Sequence, residues 1–217
     1  MSPSPNFARK AGFPGNVKAG EVQKALRSAG LEELPHVLFE TEIPRFRQQA
    51  PDPDTLLIVD LMLYSGPRIS EACGLKFGDI NLDEGWARIR AENAKRSKER
   101  RVPVEPHLRG YIAATMRSRG AGPDDFLFTR SDDLAERSAE RNLYNYVKKM
   151  YSDAGLVREE FTVHDLRHTA ITRMLERGIP IEKVQLIAGH ESIEMTLVYT
   201  HLSTKQLIRS FEEAFPI

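Results

Sequence analysis

Residues 161–201 read FTVHDLRHTAITRMLERGIPIEKVQLIAGHESIEMTLVYTH, and the rest of the chain is best interpreted outward from them. Thr162 and Asp165 have the S/T-x-x-D/E spacing of a capping box, and the residues that follow repeat with a helical period. We therefore predict a helix over residues 163–177, which Gly178 ends.

Two residues on the apolar side of this helix are not explained by ordinary packing. Arg167 cannot lose its proton, and burying it unpaired is costly, so a negative group must meet it there. His164 lies in the first turn, where free backbone N–H groups and the helix dipole favour an anion. Either these residues form a core Arg–carboxylate pair with a hydrogen-bonded histidine, or they bind an anionic ligand.

The remainder of the stretch predicts two more short helices. The first covers residues 181–188 and is closed by Gly189, so that His190 follows it directly. The second covers residues 193–200 and carries Tyr199 in its last turn. Taken singly, a tyrosine at such a place is typical of a core, and a histidine after glycine is typical of a loop.

Another arginine begins a short predicted helix earlier in the chain. Arg68 opens a helix over residues 68–75, and Glu71, three residues further on, is placed to hold its guanidinium. Read alone, this is an ordinary Arg–Glu helix pair.

A basic β-hairpin is predicted after that helix. Residues 86–90 and 100–104 alternate as strands do, and they flank a polar connection. Residues 88–101 contain seven Lys or Arg against two Glu. Such a run is most often a solvated surface, and it is also the kind of local basic patch that binds nucleic acid.

The composition supports no particular partner. The 217 residues hold 31 Lys and Arg against 31 Asp and Glu, so the formal net charge is zero and any basic patch must be local. A single cysteine rules out a disulfide framework. With neither a signal peptide nor a long apolar run, the sequence predicts a cytoplasmic protein that has no membrane partner.

These motifs together resemble the tyrosine recombinase (phage integrase) family, which shares its catalytic fold with type IB topoisomerases. The resemblance rests on GPRISE at residues 66–71, HDLRHT at 164–169 and AGHESIEMTLVYTHLS at 188–203, which stand in the family's order and spacing. It covers the chain roughly from Val37 onward. It implies a mainly α-helical catalytic domain with a small antiparallel β-sheet, which is an α+β fold.

The resemblance carries six catalytic positions over to this sequence. They are Arg68, Lys95, His164, Arg167, His190 and Tyr199. Glu71 is expected to support Arg68, and the hairpin motif KRSKERRVPV at residues 95–104 identifies Lys95 as the catalytic lysine. The later basic residues of that motif are expected to contact DNA: Arg96, Lys98, Arg100 and Arg101.

The implied chemistry is the transfer of a DNA phosphodiester through a tyrosyl ester. The two arginines hold the phosphate, His164 acts as base for Tyr199, and Lys95 protonates the departing 5′ oxygen. A 3′-phosphotyrosyl link and a free 5′ hydroxyl result. Because the ester conserves the energy of the broken bond and arginines replace a cation, neither ATP, a metal nor another cofactor is expected. The implied partners are double-stranded DNA and further copies of the chain, as a tetramer on paired sites.

The domain organisation is predicted from composition and from the same resemblance. Residues 1–35 are rich in Pro and Gly without a hydrophobic period and are predicted to be a linker or N-terminal arm. Residues 36–217 are the predicted catalytic domain. The core-binding domain that precedes it in the family is expected to be absent, either because the chain is a fragment or because it lacks half of the DNA clamp. A last helix after Ser203 either folds back on its own domain or docks into a neighbouring protomer.

Three other functions are open at this point. One is a topoisomerase-like or telomere-resolvase enzyme of the same chemistry, which the spacing of the motifs disfavours. Another is a catalytically silent DNA-binding relative, which the complete set of candidate residues disfavours. The third is a metal nuclease, for which the sequence offers neither a carboxylate cluster nor a Cys/His spacing.

Overall fold

The computed structural model describes residues 35–91, 99–128, 136–156 and 161–200. Several predictions fall outside these ranges: the N-terminal arm up to residue 34, the hairpin residues Lys95, Arg96 and Lys98, and the last helix after Ser203.

The chain divides into two compact units. Residues 36–170 and 186–189 belong to the larger unit, and residues 171–185 and 190–200 belong to the described part of the smaller one.

Helices make up most of the described chain. In order they are α1 (Ile43–Arg47), α2 (Pro53–Ser65), α3 (Ile69–Cys73), α4 (Pro106–Arg119), α5 (Glu136–Asp153), α6 (His164–Glu176) and α7 (Ile181–Ala188). Residues 194–200 are helical as well. The strands are β1 (Ile80–Asn81), β2 (Trp86–Ile89) and β3 (Arg100–Pro103). These elements confirm the predicted mainly α fold with a small antiparallel sheet.

Helix α2 lies inside the larger unit: nine of its 13 residues are buried, and most of these are apolar. The Asp52 carboxylate caps its start by accepting the Thr55 backbone N–H at 2.7 Å. Gly66 ends it with a φ of +71°, a left-handed conformation that glycine adopts without strain. Its buried apolar residues belong to one core cluster: Leu57, Ile58, Val59, Leu61, Met62 and Leu63.

The core continues through the sheet and through helix α5. Ala87, Ile89 and Val102 point to the buried face of the strands, in agreement with their alternation. On α5, Leu143, Val147 and Met150 recur at helical spacing and enter the same cluster. The helices and the strands therefore share one hydrophobic core.

The sheet has three antiparallel strands in the order β1-β2-β3. Its hairpin pairs Arg88 with Arg101 and Ile89 with Arg100, which confirms the predicted strands. Phe126 makes only an isolated bridge to Lys76, and the third strand is the two-residue β1, which is too short to show any periodicity.

Among the described residues, no helix combines the length and the apolar character that crossing a bilayer requires.

Candidate active site

Arg68 is placed by the start of the short helix α3. It is the N-cap residue, and its extended backbone lets its N–H donate to Glu71 Oε2 at 2.7 Å. Its guanidinium donates from Nη1 to Glu71 Oε1 at 3.0 Å, in the spacing expected from the sequence. A third contact joins Nη2 to the Gly189 carbonyl at 3.5 Å. The Arg68 side chain is 32% exposed while that of Glu71 is fully buried, so the arginine can reach a ligand and the carboxylate cannot.

Arg100, which was predicted to contact DNA, lies on the other side of the same carboxylate and makes its contacts within the protein. Its side chain is only 9% exposed. It donates from Nη1 and Nη2 to Glu71 Oε1 and Oε2 at 2.8 and 2.7 Å, and from Nε to the Ile187 carbonyl at 2.9 Å. Burial alone would raise the pKa of Glu71, but the hydrogen bonds and charge of Arg100, together with Arg68, lower it below its ordinary value. Glu71 is therefore ionised.

A sequence signal for this position of Arg100 existed and was missed. Alternate residues of a strand lie on the same face, and one face of β3 and of the residue after it carries Arg100, Val102 and Val104. The two valines are 0% and 1% exposed. Arg101 is on the opposite face, is exposed, and lies with its guanidinium carbon 4.2 Å from the centroid of the Trp86 ring. Its contact with DNA stays a prediction.

Two further arginines of the hairpin are held by an acid of the larger unit. Arg88 Nη2 and Arg90 Nε contact Asp79 Oδ1 at 3.1 and 2.8 Å, and the Asp79 side chain is fully buried. Part of the basic run therefore balances an internal carboxylate.

Arg167 is buried in helix α6 with 5% exposure. Nη1 donates to the Gly66 carbonyl at 2.7 Å, and Nη2 donates to the Ala188 carbonyl at 2.6 Å. Gly66 follows the last residue of α2, and Ala188 is the last residue of α7, so both carbonyls lie at helix ends that carry partial negative charge. Two backbone dipoles thus meet part of the need for a negative partner that the sequence indicated.

His164 is the first residue of α6 and is exposed. Partial desolvation lowers the pKa of His164 below its ordinary value of 6.5, and the charges of Arg167 and Arg68 lower it further. The imidazole is therefore neutral at pH 7, which is the form that accepts a proton. The start of α6 is capped by the Thr162 hydroxyl, which accepts the His164 N–H at 3.2 Å, and by the Asp165 carboxylate, which accepts the Thr162 N–H.

His190 and Tyr199 form a second group of candidate residues, within the smaller unit. Their rings stack with centroids 6.0 Å apart and planes inclined by 18°. The Nδ1 atom of His190 lies 2.8 Å from the hydroxyl oxygen of Thr196, which is fully buried, and Tyr199 is 3% exposed. Thr196 was missed by the sequence interpretation, although it precedes Tyr199 by three residues and so shares its helix face.

The chain matches a family model and several known proteins. The model of the phage integrase family matches residues 36–206. The tyrosine recombinase XerA of Thermococcus kodakarensis is 32% identical over 185 residues, which are 83% of this chain and 63% of that protein. This chain therefore spans less than two thirds of that relative.

Two solved structures have the same fold. The crystal structure of XerA recombinase matches with a TM-score of 0.68 and 28% identity, over 87% of this chain and 68% of that one. The XerH site-specific recombinase bound to its palindromic difH substrate matches with a TM-score of 0.67 and 25% identity, over 83% of this chain and 53% of that one. The family match, these relatives and the fold agree: the chain belongs to the phage integrase family and has the catalytic fold of a tyrosine recombinase.

Proposed function

We propose that this chain is the catalytic domain of a site-specific DNA recombinase that breaks and rejoins strands through a covalent link to Tyr199. The observation that carries the proposal is that Arg68 and Arg167 meet the same two segments: Arg167 donates to the carbonyls of Gly66 and Ala188, and Arg68, two residues after Gly66, lies 3.5 Å from the carbonyl of Gly189. Two guanidinium charges, those of Arg68 and Arg167, act on an imidazole whose pKa they help to lower. A neutral base beside two fixed cations is suited to removing a proton next to a bound phosphate.

The first step in this proposal is attack by the Tyr199 oxygen on the phosphorus of a DNA phosphodiester. A tyrosine hydroxyl has an unperturbed pKa of about 10, so it is a poor nucleophile at pH 7 unless a base takes its proton. His164 accepts that proton while the new P–O bond forms. The bond from phosphorus to the 5′ oxygen breaks, and Lys95 donates a proton to that oxygen. The products are a 3′-phosphotyrosyl ester and a 5′ hydroxyl, and the reverse reaction with a different 5′ hydroxyl joins exchanged strands.

Arg68 and Arg167, which we call the phosphate clamp, compensate the charge that builds on the phosphate in the five-coordinate state. The forked guanidinium presents parallel donors to two oxygens, which a single ammonium does not. Donors that are already fixed before the reaction need no reorganisation during it, and the Glu71 and carbonyl contacts fix both groups. His190 donates a further hydrogen bond to the phosphate. When the Thr196 hydroxyl donates to Nδ1, the proton of the neutral ring is on Nε2, where it serves this purpose.

Double-stranded DNA is the proposed substrate. XerH, which has this fold, is bound to a DNA substrate in its structure. On the present chain, exposed Arg101 is the described hairpin residue best placed to follow a phosphate backbone, and Arg96 and Lys98 are its proposed neighbours in sequence. Exchange between two sites requires several catalytic domains, so we propose a tetramer on paired sites.

The test is covalent trapping on nicked duplexes drawn from the DNA that flanks the gene for this chain. In such a substrate the cleaved fragment diffuses away, so the tyrosyl ester accumulates. The wild-type protein should give an adduct that maps to Tyr199 and forms equally well in EDTA. Tyr199→Phe should bind the same duplex and form no adduct. An undiminished adduct with Tyr199→Phe would remove that residue from the role.

The same assay separates the competing functions. A silent DNA-binding relative would bind and yield no adduct. A topoisomerase-like enzyme would yield the adduct and relax supercoiled DNA without exchanging strands between two paired sites. Recombinant products from paired sites are the outcome expected here.

A further inference from the structure

The Glu71 carboxylate is shared between two arginines, oxygen by oxygen. Oε1 accepts from Arg68 Nη1 and from Arg100 Nη1, and Oε2 accepts from the Arg68 backbone N–H and from Arg100 Nη2. Hydrogen bonds between ionised groups are short and directional, so Arg100 defines the plane of the carboxylate. That plane in turn defines where the Arg68 guanidinium lies.

The charges of this trio matter as much as its geometry. Glu71 is fully buried, and one carboxylate between two guanidiniums leaves a net charge of +1. Without Arg100, Glu71 would pair with Arg68 alone, and the pair would be neutral. Arg100 therefore offsets part of the Glu71 charge that would otherwise be paired with Arg68 alone.

A second contact of Arg100 reaches the element that holds the other clamp arginine. Its Nε donates to the carbonyl of Ile187 in α7, one residue before Ala188, whose carbonyl accepts from Arg167. The next residue, Gly189, lies so close to Arg100 that an added Cβ would be 2.9 Å from Nε. Only glycine permits this approach without a shift. One guanidinium thus links strand β3, the start of α3 and the end of α7.

We propose that Arg100 is a positioning residue for the phosphate clamp, acting on Arg68 through Glu71 and on Arg167 through the end of α7. The inference rests on the proposed recombinase chemistry. It gives Arg100 a function in strand cleavage that does not involve touching DNA.

The test compares Arg100→Gln with a matched control, Arg47→Gln. Arg47 also forms a two-pronged pair with a buried acid, Asp60, at 2.6 and 2.7 Å, and it is not among the clamp residues. Cleavage of the nicked duplex is followed under single turnover with protein in excess, and DNA affinity is measured separately over a series of salt concentrations. Misplacing a catalytic group by about 1 Å costs on the order of 100-fold in rate, so Arg100→Gln should slow cleavage by about that factor. Its DNA affinity should change less than about threefold, and Arg47→Gln should cleave within about twofold of wild type.

A double variant distinguishes a specific loss of cleavage from a loss of the folded state. In the single variant Arg100→Gln, the buried negative charge of Glu71 is only partly balanced. In the double variant, which combines Glu71→Gln with Arg100→Gln, that charge is removed. The double variant should regain thermal stability close to that of Arg47→Gln while its cleavage stays slow. Recovery of cleavage together with stability would show that Arg100 only supports folding, and would overturn the proposal.

Two further results would overturn it. Arg100→Gln cleaving as fast as Arg47→Gln would mean that the clamp does not depend on Arg100. A weaker affinity with a salt slope reduced by about one would identify Arg100 as a phosphate contact instead. Failure of the wild-type protein to form any adduct would count against the recombinase proposal itself, which is a distinct outcome.

Discussion

Replacing Arg167 with lysine keeps the positive charge at this position but removes the planar set of hydrogen-bond donors. Arg167 is 5% exposed and donates to two carbonyl oxygens that lie at the ends of different helices, at 2.7 and 2.6 Å. A lysine ammonium is a point donor on a flexible stem and cannot span both positions as the planar fork does. One of the two carbonyls therefore loses its partner in Arg167→Lys. A hydrogen bond to a charged group contributes about 1.5–3 kcal/mol, so the free energy of unfolding should fall by about that amount.

The effect on cleavage should be larger than the effect on folding. Loss of one fixed donor to a developing oxyanion costs about 2.7–4 kcal/mol of transition-state stabilisation, or roughly 100- to 1,000-fold in rate. The positive charge survives in Arg167→Lys, so a purely coulombic clamp would predict little change. We therefore expect a fall of at least about 100-fold in the single-turnover cleavage rate at saturating protein.

Arg173→Lys is the matched control for this variant. Arg173 is on the same helix and is 6% exposed, nearly as buried as Arg167, and it has no proposed contact with DNA. Urea unfolding measures the stability of both variants, and covalent trapping measures their cleavage. If Arg167→Lys cleaves within threefold of wild type, or if Arg173→Lys is equally slow, the assignment of Arg167 to the phosphate is refuted.

Three other predictions concern proton transfer and hydrogen bonding at the site. Because the pKa of His164 is lowered below 6.5, the base is protonated only at lower pH; kcat/KM for cleavage should therefore rise with a midpoint below pH 6.5 and stay level above it. His164→Gln should abolish that rise, and an unchanged profile would exclude His164 as the base. Lys95→Ala should be slow on ordinary DNA and regain most of its rate on a substrate with sulfur at the 5′ bridging position, since a thiolate leaves without an acid; lack of rescue in the trapping assay would count against Lys95. Thr196→Val should lose one neutral hydrogen bond to His190, about 0.5–1.5 kcal/mol, and cleave roughly 2- to 10-fold more slowly, whereas Thr196→Ser should match wild type; equal rates for both would show that Thr196 does not orient the imidazole.

Elements with local start and stop signals could be predicted closely from the sequence. Helix α4 (Pro106–Arg119) carries both signals, because proline suits the first turn and Gly120 adopts the left-handed φ of +59° that ends it. The hairpin strands were placed within one residue by their alternation. Strand β1 could not be predicted in this way, since its pairing with β2 depends on tertiary packing and not on its own two residues.

At the site, too, contacts between residues close in sequence could be predicted, whereas contacts between residues far apart in sequence could not. The sequence identified Arg68 and Glu71 together because they are three residues apart on one short helix. The partners of Arg100 lie 29 and 87 positions away, at Glu71 and Ile187, and no local pattern reports such distances. Alternation along β3 shows which face Arg100 shares with buried valines. The acid that Arg100 contacts on that face, Glu71, can be identified only from the three-dimensional structure.

The partners of Arg68 and Arg167 differ in charge, and this difference bears on how the two arginines would bind the proposed phosphate. A carboxylate paired one-to-one with Arg167 would have cancelled its charge, and the sequence allowed that arrangement. The structure places two carbonyl dipoles there, which accept from Nη1 and Nη2 and themselves carry no net charge. At Arg68 a real carboxylate is present, and a second arginine offsets it. Both arrangements orient a guanidinium firmly and leave a net positive charge among these groups, which is the electrostatic condition that binding a phosphodiester in its five-coordinate state requires.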